Sequence, residues 1–221
     1  MTPPTVIQTT PTVVASTPAV VDVIQESMKK VVLIEVHGYV EDYETIFSTF
    51  TTRLPVNWLG SGTLISDDGM ILSCDHLFLH KLDERTIVVQ TPGGKKYVGF
   101  LLTQNAEKDL SLVKIFPLSK LPYFAIGKEP IRGQKVWAFG APLGISKTVS
   151  TGFIENLDIG TEKHTLHSAA LNLGNSGGPL VSEDGQLIGI NVSVMMMDFL
   201  MRAEGMGRAI NLTDIKEFLK D

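Results

Sequence analysis

The feature that most restricts how this chain can fold is the run Leu171-Asn-Leu-Gly-Asn-Ser-Gly-Gly-Pro-Leu180. Gly174, Gly177 and Gly178 bracket Ser176, so backbone can approach the serine from both sides with no Cβ in the way. Pro179-Leu180-Val181 follows at once and reads as a strand entering a core. Two readings of the run are open. It is an ordinary hairpin turn, or it displays a nucleophilic serine whose neighbouring N–H groups form an oxyanion hole. What the rest of the chain can bring to Ser176 decides between them.

A chain of 221 residues, 43% hydrophobic and 19% charged, can bury a real core as one large or two small domains. The net charge of -5 gives no reason to expect nucleic acid, which wants clustered Lys and Arg. Cys74 is the only cysteine, so no intrachain disulfide can form. Apolar runs are too short for a membrane span. The start, Met1-Thr-Pro-Pro-Thr5, lacks the basic and apolar regions of a signal peptide. As written the chain reads as soluble, in the cytoplasm or, had a signal been removed, outside it.

Residues 1–18 are Thr, Pro and Val with almost no charge, and read as a flexible, extended tail. A short helix over residues 19–29 follows from the spacing of Val21, Ile24 and Met28, then a strand at Val31-Val-Leu-Ile-Glu-Val36. Residues 38–57 read as loop, with Tyr39, Tyr43, Phe47 and Phe50 either packing on the domain or forming a contact surface. From Gly60 onward short strands alternate with turn signals: residues 60–66, 70–73, 86–90, 96–102 and 109–115. The proline-broken stretch 117–130 reads as the crossing to a second, similar half, with strands at 135–139, 147–155 and 165–171 and a hairpin of 180–181 and 186–194 about the Asp184-Gly185 turn. Asn211 caps a terminal helix with Ile215, Phe218 and Leu219 on one face. The expectation is an all-β chain, a pair of antiparallel barrels or a sandwich, divided at residues 19–122 and 123–221.

A serine hydroxyl needs a base to take its proton, so the histidines matter. His37, His164 and His167 suit surface or packing roles, whereas His76 follows a strand directly in Ile71-Leu-Ser-Cys-Asp-His-Leu-Phe78. His80 lies four residues on, but His-Leu-Phe-Leu-His lacks the Glu of a zinc-protease helix and a third ligand, so no metal is expected. Asp109 opens the strand Leu110 to Ile115 and competes with Asp75 as the carboxylate. Neighbouring side chains on extended backbone point apart, which counts against Asp75 beside His76.

Gly60-Ser-Gly-Thr-Leu-Ile-Ser-Asp-Asp-Gly-Met-Ile-Leu-Ser-Cys-Asp-His76, Lys108-Asp-Leu-Ser-Leu-Val-Lys-Ile115, Gly140-Ala-Pro-Leu-Gly144 and Leu171 to Leu180 with Leu187-Ile-Gly-Ile-Asn191 together resemble the HtrA (DegP-like) branch of the chymotrypsin-fold serine proteases. The resemblance covers about residues 20 to 220. It implies an all-β, trypsin-like double β-barrel with a short N-terminal helix and a C-terminal helix. It also implies a serine endopeptidase with Ser176 as nucleophile, His76 as general base and then acid, and Asp109 orienting His76. The N–H groups of Gly174 and Ser176 would form the oxyanion hole, helped by the turn at Asn175. No metal or cofactor is needed, the substrates would be proteins or peptides, and the family points to a homotrimer. The sequence as given contains no PDZ domain, which most of that branch carry, so peptide sensing through one is not expected.

Departures from the pattern sharpen these expectations. Asn175 stands where digestive enzymes of this fold place an Asp that pairs with a newly cut N-terminus, so control is expected in the shape of residues 168–175. Ala170 occupies the place of the acidic pocket floor, and Val192, Ser193 and Val194 would form a narrow apolar wall. Small or medium aliphatic residues are therefore expected before the scissile bond. Leu173 replaces a common Pro, Ser168 a common Asp, and Arg208 a common Phe, bringing a charge near that pocket. The methionine-rich segment 195–201 either packs internally or forms an adaptable contact beside the pocket. Asn191-Val-Ser and Asn211-Leu-Thr match the glycosylation pattern and are discounted, the first lying in an expected buried strand. The rival reading from another class is a chaperone-like or peptide-binding module with a latent site.

Overall fold

The computed structural model describes residues 20–42, 52–78, 83–141, 148–159, 164–193 and 206–220. Helix α1 (Val20–Met28) leads into β1 (Val31–Asp42), β2 (Thr52–Leu64), β3 (Met70–Cys74), a 3₁₀ turn (Asp75–Phe78), β4 (Asp83–Gln90), β5 (Lys96–Asn105) and β6 (Leu110–Lys114). The second half holds β7 (Lys135–Gly140), β8 (Thr148–Ile159), β9 (His164–His167), β10 (Pro179–Ser182), β11 (Leu187–Val192), β12 (Gly207–Ile210) and α2 (Leu212–Phe218). Among the described residues these strands close into two six-stranded antiparallel barrels, ordered β1-β2-β3-β6-β5-β4 and β10-β11-β12-β9-β8-β7. Of the two architectures open to short alternating strands, the barrel pair is the one formed. The tail 1–18 lies outside the described residues.

The strand that does most to position the site is β3. Ile71, Leu72, Ser73 and Cys74 are all fully buried. A half-buried strand would show alternation, but this one has the first barrel's interior on one face and the second barrel on the other. Its hydrophobic side packs with Ile34, Leu64, Leu110 and Val113 in the larger core. At its C-terminal end Cys74 donates to Asn191 O of the second barrel, Ser73 Oγ bonds Ser61 O close to Gly177, and Thr63 of β2 bonds Gly177 O.

The connection between barrels is a strap tied to both. Leu121 N–H bonds Asp67 O and Phe124 N–H bonds Leu64 O, both on the first barrel. Immediately afterwards Ala125 O accepts from Leu187 N–H, and Gly127 N–H donates to Leu187 O on the second. Helix α1 reaches forward too, its buried Val23 lying at van der Waals distance from the Gly185 turn.

Three expectations need correction. Residues 38–42 continue β1 and residues 52–57 open β2, paired from His37↔Asn57 to Asp42↔Thr52, where a loop was expected. Tyr39, Trp58 and Leu59 are exposed there, so no buried face has imprinted an apolar alternation on the extension. Tyr43, Phe47 and Phe50 lie outside the described residues. The strand expected over 165–171 ends at His167, because Ser168 turns back to pair with Phe153 through both its N–H (3.0 Å to Phe153 O) and its Oγ (2.9 Å from Phe153 N). In α2 the buried face is Leu212, Ile215 and Phe218, while Leu219 is the exposed C-cap. Asn211 caps that helix as expected, its Oδ1 accepting from Asp214 N–H at 2.7 Å.

His167 is the largest polar anomaly of the second barrel. It sits on β9 opposite Ile154 and Gly207, fully buried, with neither ring nitrogen in a well-formed hydrogen bond among the described residues. A Cβ on Gly207 would lie 2.3 Å from its ring, so the glycine makes room for the imidazole. Burial pushes the His167 pKa down to about 4, the backbone of Ala169 and Arg208 pulling weakly back.

Two measurements check this packing. Between pH 6.5 and 4 the unfolded chain binds a proton at His167 that the folded chain refuses, so stability falls as pH drops through this window. The loss reaches about 3 kcal/mol at pH 4 and is absent above pH 6.5. His167→Leu should flatten that slope in urea titrations at stepped pH. Thr63→Val removes a buried hydroxyl whose 2.9 Å bond to Gly177 O crosses the barrels. It should lower the unfolding free energy by about 1–3 kcal/mol in the same titration.

Candidate active site

The site is assembled where β3 and β6 part. Their register runs from Met70↔Lys114 to Cys74↔Leu110, so one step beyond the ladder Asp75 faces Asp109. Asp75 N–H still bonds Asp109 O at 3.1 Å. Asp109 then takes a φ of 52°, which among non-glycine residues Asp and Asn tolerate best. That turn lets one carboxylate hold His76 twice: Oδ1 accepts His76 N–H at 2.9 Å, and Oδ2 lies 2.8 Å from His76 Nδ1. A carboxylate can only accept here, so Nδ1 carries the proton and Nε2 is left as the basic nitrogen. Asp75, the rival carboxylate, instead accepts from Gln104 Nε2 at 2.5 Å.

The Asp109 corner is anchored from the sides. Lys108 N–H bonds Asn105 Oδ1 at 2.9 Å, and Lys108 Nζ reaches Glu217 Oε2 of α2 at 2.7 Å and Asp214 Oδ1 at 3.6 Å. The Glu217 hydrogen bond raises the pKa of Lys108 above the usual lysine value.

Ser176 is presented by two successive turns. Asn175 N–H bonds Asn172 O at 3.0 Å with Gly174 at a φ of 94°, and Gly178 N–H bonds Asn175 O at 3.0 Å with Gly177 at a φ of 84°. Each glycine stands third in its turn, where a positive φ belongs to type II geometry. At Gly177 space is as restrictive as φ: a Cβ would lie 2.1 Å from Ser61 O and 2.2 Å from Ser73 Oγ. The glycine after Ser176 is thus required by close approach of the first barrel, and Gly178 by that of Phe139 O, 2.2 Å from where its Cβ would lie.

Carbonyls of this loop are taken up by that barrel. Ser61 N–H donates to Ser176 O at 2.8 Å, Ser61 Oγ to Gly174 O at 2.6 Å, and Thr63 Oγ1 to Gly177 O at 2.9 Å. Ser61 Oγ also accepts Ala141 N–H at 2.8 Å. By contrast, the N–H groups of Gly174 and Ser176 donate to no acceptor among the described residues. Asn175 differs: its N–H is spent on Asn172 O, so it shapes the turn. Its side chain packs on Gly140, with Oδ1 unpaired among the described residues.

One carbonyl ties the serine loop to the strand that ends before His76. Asn191 O accepts Gly177 N–H at 3.0 Å and the Cys74 thiol at 3.4 Å. Asn191 itself is fully buried, its Nδ2 donating to Phe139 O and Pro179 O. Ser176 Oγ, however, makes no hydrogen bond to His76 among the described residues. Its partners are Ser193 Oγ at 2.5 Å, Ser193 N–H at 3.0 Å and Ser193 O at 3.4 Å.

Cys74 Sγ, His76 and Asp109 converge within 4.8 Å, a donor set that could be read as a metal centre. Their chemistry favours proton handling. The 2.8 Å Nδ1–Oδ2 contact is a hydrogen bond, and burial, aided by the Asp109 charge, pushes the Cys74 thiol well above its usual pKa and keeps its proton. His80 lies outside the described residues.

Of the expected pocket residues, Ala170 is exposed, with its carbonyl accepting from Ser150 Oγ at 2.7 Å, while Val192 is half-buried and Ser193 buried. Arg208 stands opposite Val192 on β12. Val194 and the methionine segment 195–201 lie outside the described residues. Sequence reasoning named Ser193 only as pocket wall and missed Ser61 altogether. The flanking glycines of Gly60-Ser-Gly62 were the available signal for close approach at Ser61.

Residues 60–190 match the family profile of the trypsin-like peptidase domain. Serine protease HTRA1 of Xenopus laevis is 30% identical over 211 residues, 90% of this chain and 42% of that protein. HTRA1 of Xenopus tropicalis is 33% identical over 173 residues, 73% of this chain and 35% of that protein. The chain therefore spans about two fifths or less of the length of these relatives. Among solved structures, an HtrA-type protease with a decapeptide superposes with a TM-score of 0.81 at 24% identity, over 92% of this chain and 66% of that one. A serine endoprotease from Yersinia pestis gives 0.70 at 26% identity, over 93% and 67%. With its two closed barrels and these matches, the chain belongs to the trypsin-like peptidase domain family, in its HtrA branch.

Proposed function

We propose that the chain is a serine endopeptidase in which Ser176 attacks the scissile carbonyl and His76 takes the serine proton. The observation that carries this reading is the doubly held His76. Asp109 fixes its backbone and its Nδ1 at once (2.9 and 2.8 Å), leaving Nε2 as base, in a chain whose second barrel displays a serine between two glycine turns. Asp109 also stabilises the imidazolium that forms. The tetrahedral oxyanion is received by the N–H groups of Gly174 and Ser176, each such donor contributing about 3 kcal/mol to the transition state. His76 then gives the proton to the amine as the C–N bond breaks; a water, its proton taken by His76, attacks the acyl-enzyme, and the ester bond breaks as His76 returns that proton to Ser176 Oγ.

Specificity follows from Ala170, Val192, Ser193 and Val194, which put no acidic group at the pocket floor. Arg208 pairs with Val192 across β11 and β12, beside these residues. Discrimination among aliphatic side chains rests on methylene-sized differences of about 1–3 kcal/mol, so it is loose. Substrates are flexible peptide segments, in keeping with the decapeptide in the solved HtrA-type relative. Assembly as a homotrimer belongs to this reading on family grounds alone. A second reading, a peptide-binding module with a latent site, is favoured by one observation: Ser176 Oγ rests on Ser193 and not on His76.

Labelling with a fluorophosphonate probe separates the two. The endopeptidase is labelled, and Ser176→Ala abolishes the label; a label that survives the substitution places the nucleophile elsewhere, and no label at all favours the binding module. Asp109→Asn should lower kcat by about 10⁴-fold through loss of the correct imidazole tautomer. On a randomised peptide library, cleavage should concentrate after Val, Ala, Ile and Leu; dominance of Arg or Lys at that position contradicts the assigned pocket.

A further inference from the structure

Resting on the assignment of Ser176 as nucleophile, we propose that Ser193 is a latch that holds the serine hydroxyl away from its base. Ser193 follows the last residue of β11 directly and is 6% exposed, with Ser176 beside it at 3%. Neither side chain reaches bulk water, so each hydroxyl must satisfy itself within the protein. They do so on one another, at 2.5 Å between the two Oγ atoms. Ser193 N–H adds a second bond to Ser176 Oγ at 3.0 Å. With Ser193 O also 3.4 Å from Ser176 Oγ, the nucleophile is held by three contacts from a single residue, two of them backbone.

Geometry makes this arrangement a resting state. Attack requires the Ser176 proton to lie on His76 Nε2, and a side chain with one rotatable bond before its oxygen cannot face Ser193 and His76 equally. Asp109 has already fixed the imidazole through two bonds, so His76 is the stationary partner and Ser176 is the one that turns. The turn breaks the hydroxyl–hydroxyl bond, the bond from Ser193 N–H and the 3.4 Å contact to Ser193 O. It breaks nothing in the serine loop's backbone, whose carbonyls remain on Ser61 and Thr63. Reactivity is thus lowered by a rotamer preference, with the loop already in place. Ser193 acts through Ser176 and is a positioning residue.

The test uses the full chain and the second-order rate of fluorophosphonate labelling. Ser193→Ala removes one hydrogen bond from the resting hydroxyl, and should label about fivefold faster than the unsubstituted chain, the factor for a single net hydrogen bond. Ser193→Thr restores a hydroxyl and should fall back toward the original rate. A purely structural role for Ser193 predicts no acceleration and no such rescue. If Ser176→Ala is unlabelled and Ser193→Ala is folded by thermal melting yet no faster, the latch is wrong while the nucleophile stands. If Ser176→Ala still labels, the nucleophile assignment itself fails. Should Ser193→Ala not fold, a crystal structure of the unsubstituted chain decides. Ser176 Oγ within hydrogen-bonding distance of Ser193 supports the latch, and Ser176 Oγ on His76 Nε2 overturns it.

Discussion

The interaction on which the rest of the structure depends is the bond from Ser61 N–H to Ser176 O, 2.8 Å long, between the two barrels. Ser61 Oγ and Thr63 Oγ1, from the same strand, hold the carbonyls of Gly174 and Gly177. All three donors are backbone or short hydroxyls, so little side-chain entropy is lost in forming them. The same approach puts Ser61 O and Ser73 Oγ where a Cβ at Gly177 would lie. The three donors set the shape of the serine loop from outside it, and leave its N–H groups at Gly174 and Ser176 without a described acceptor. In digestive enzymes of this fold the equivalent control is an ion pair at the residue before the serine; here Asn175 is buried against Gly140 and carries no charge.

Each barrel handles one half of the chemistry with a different device. The second barrel uses glycine, spending backbone freedom to bring a serine between two turns. The first uses a strained aspartate: Asp109 is the one non-glycine residue with positive φ among the described residues. A left-handed residue costs about 1–2 kcal/mol, and three hydrogen bonds to Asp75 and His76 offset it. Strain therefore sits at the one place where a carboxylate must reach both the backbone and the ring of the same histidine. Cys74 and Asn191 meet between these halves as neutral, buried groups.

Much of this was legible in the chain. Short strands between Asp68-Gly69 and Asp184-Gly185 turns marked an all-β protein, barrel pair or sandwich, because tight turns and period-two alternation are local properties. Where a segment lacks a buried face the signal fails, which is why residues 38–42 and 52–57 read as loop although they extend a long hairpin. Leu219 failed for a related reason: helical spacing placed it on the apolar face, but the helix ends at Phe218. His167 gave no sign of full burial, since its environment is made by Gly207, forty residues downstream on a paired strand.

The sequence by itself determined the local conformations: glycine turns around Ser176, a strand ending just before His76, and a carboxylate at the opening of another strand. Steric limits on φ and side-chain size act within a few residues, so these could be read without a fold. Tertiary structure decided which groups meet. Ladder register alone brings Asp109 under His76, 33 positions away, in preference to the adjacent Asp75. The same is true of Ser193, 17 positions from Ser176, whose hydroxyl meets that of Ser176 where His76 was the expected partner. A side chain's rotamer is chosen by whichever partners packing delivers to it, and no spacing within the chain encodes that choice.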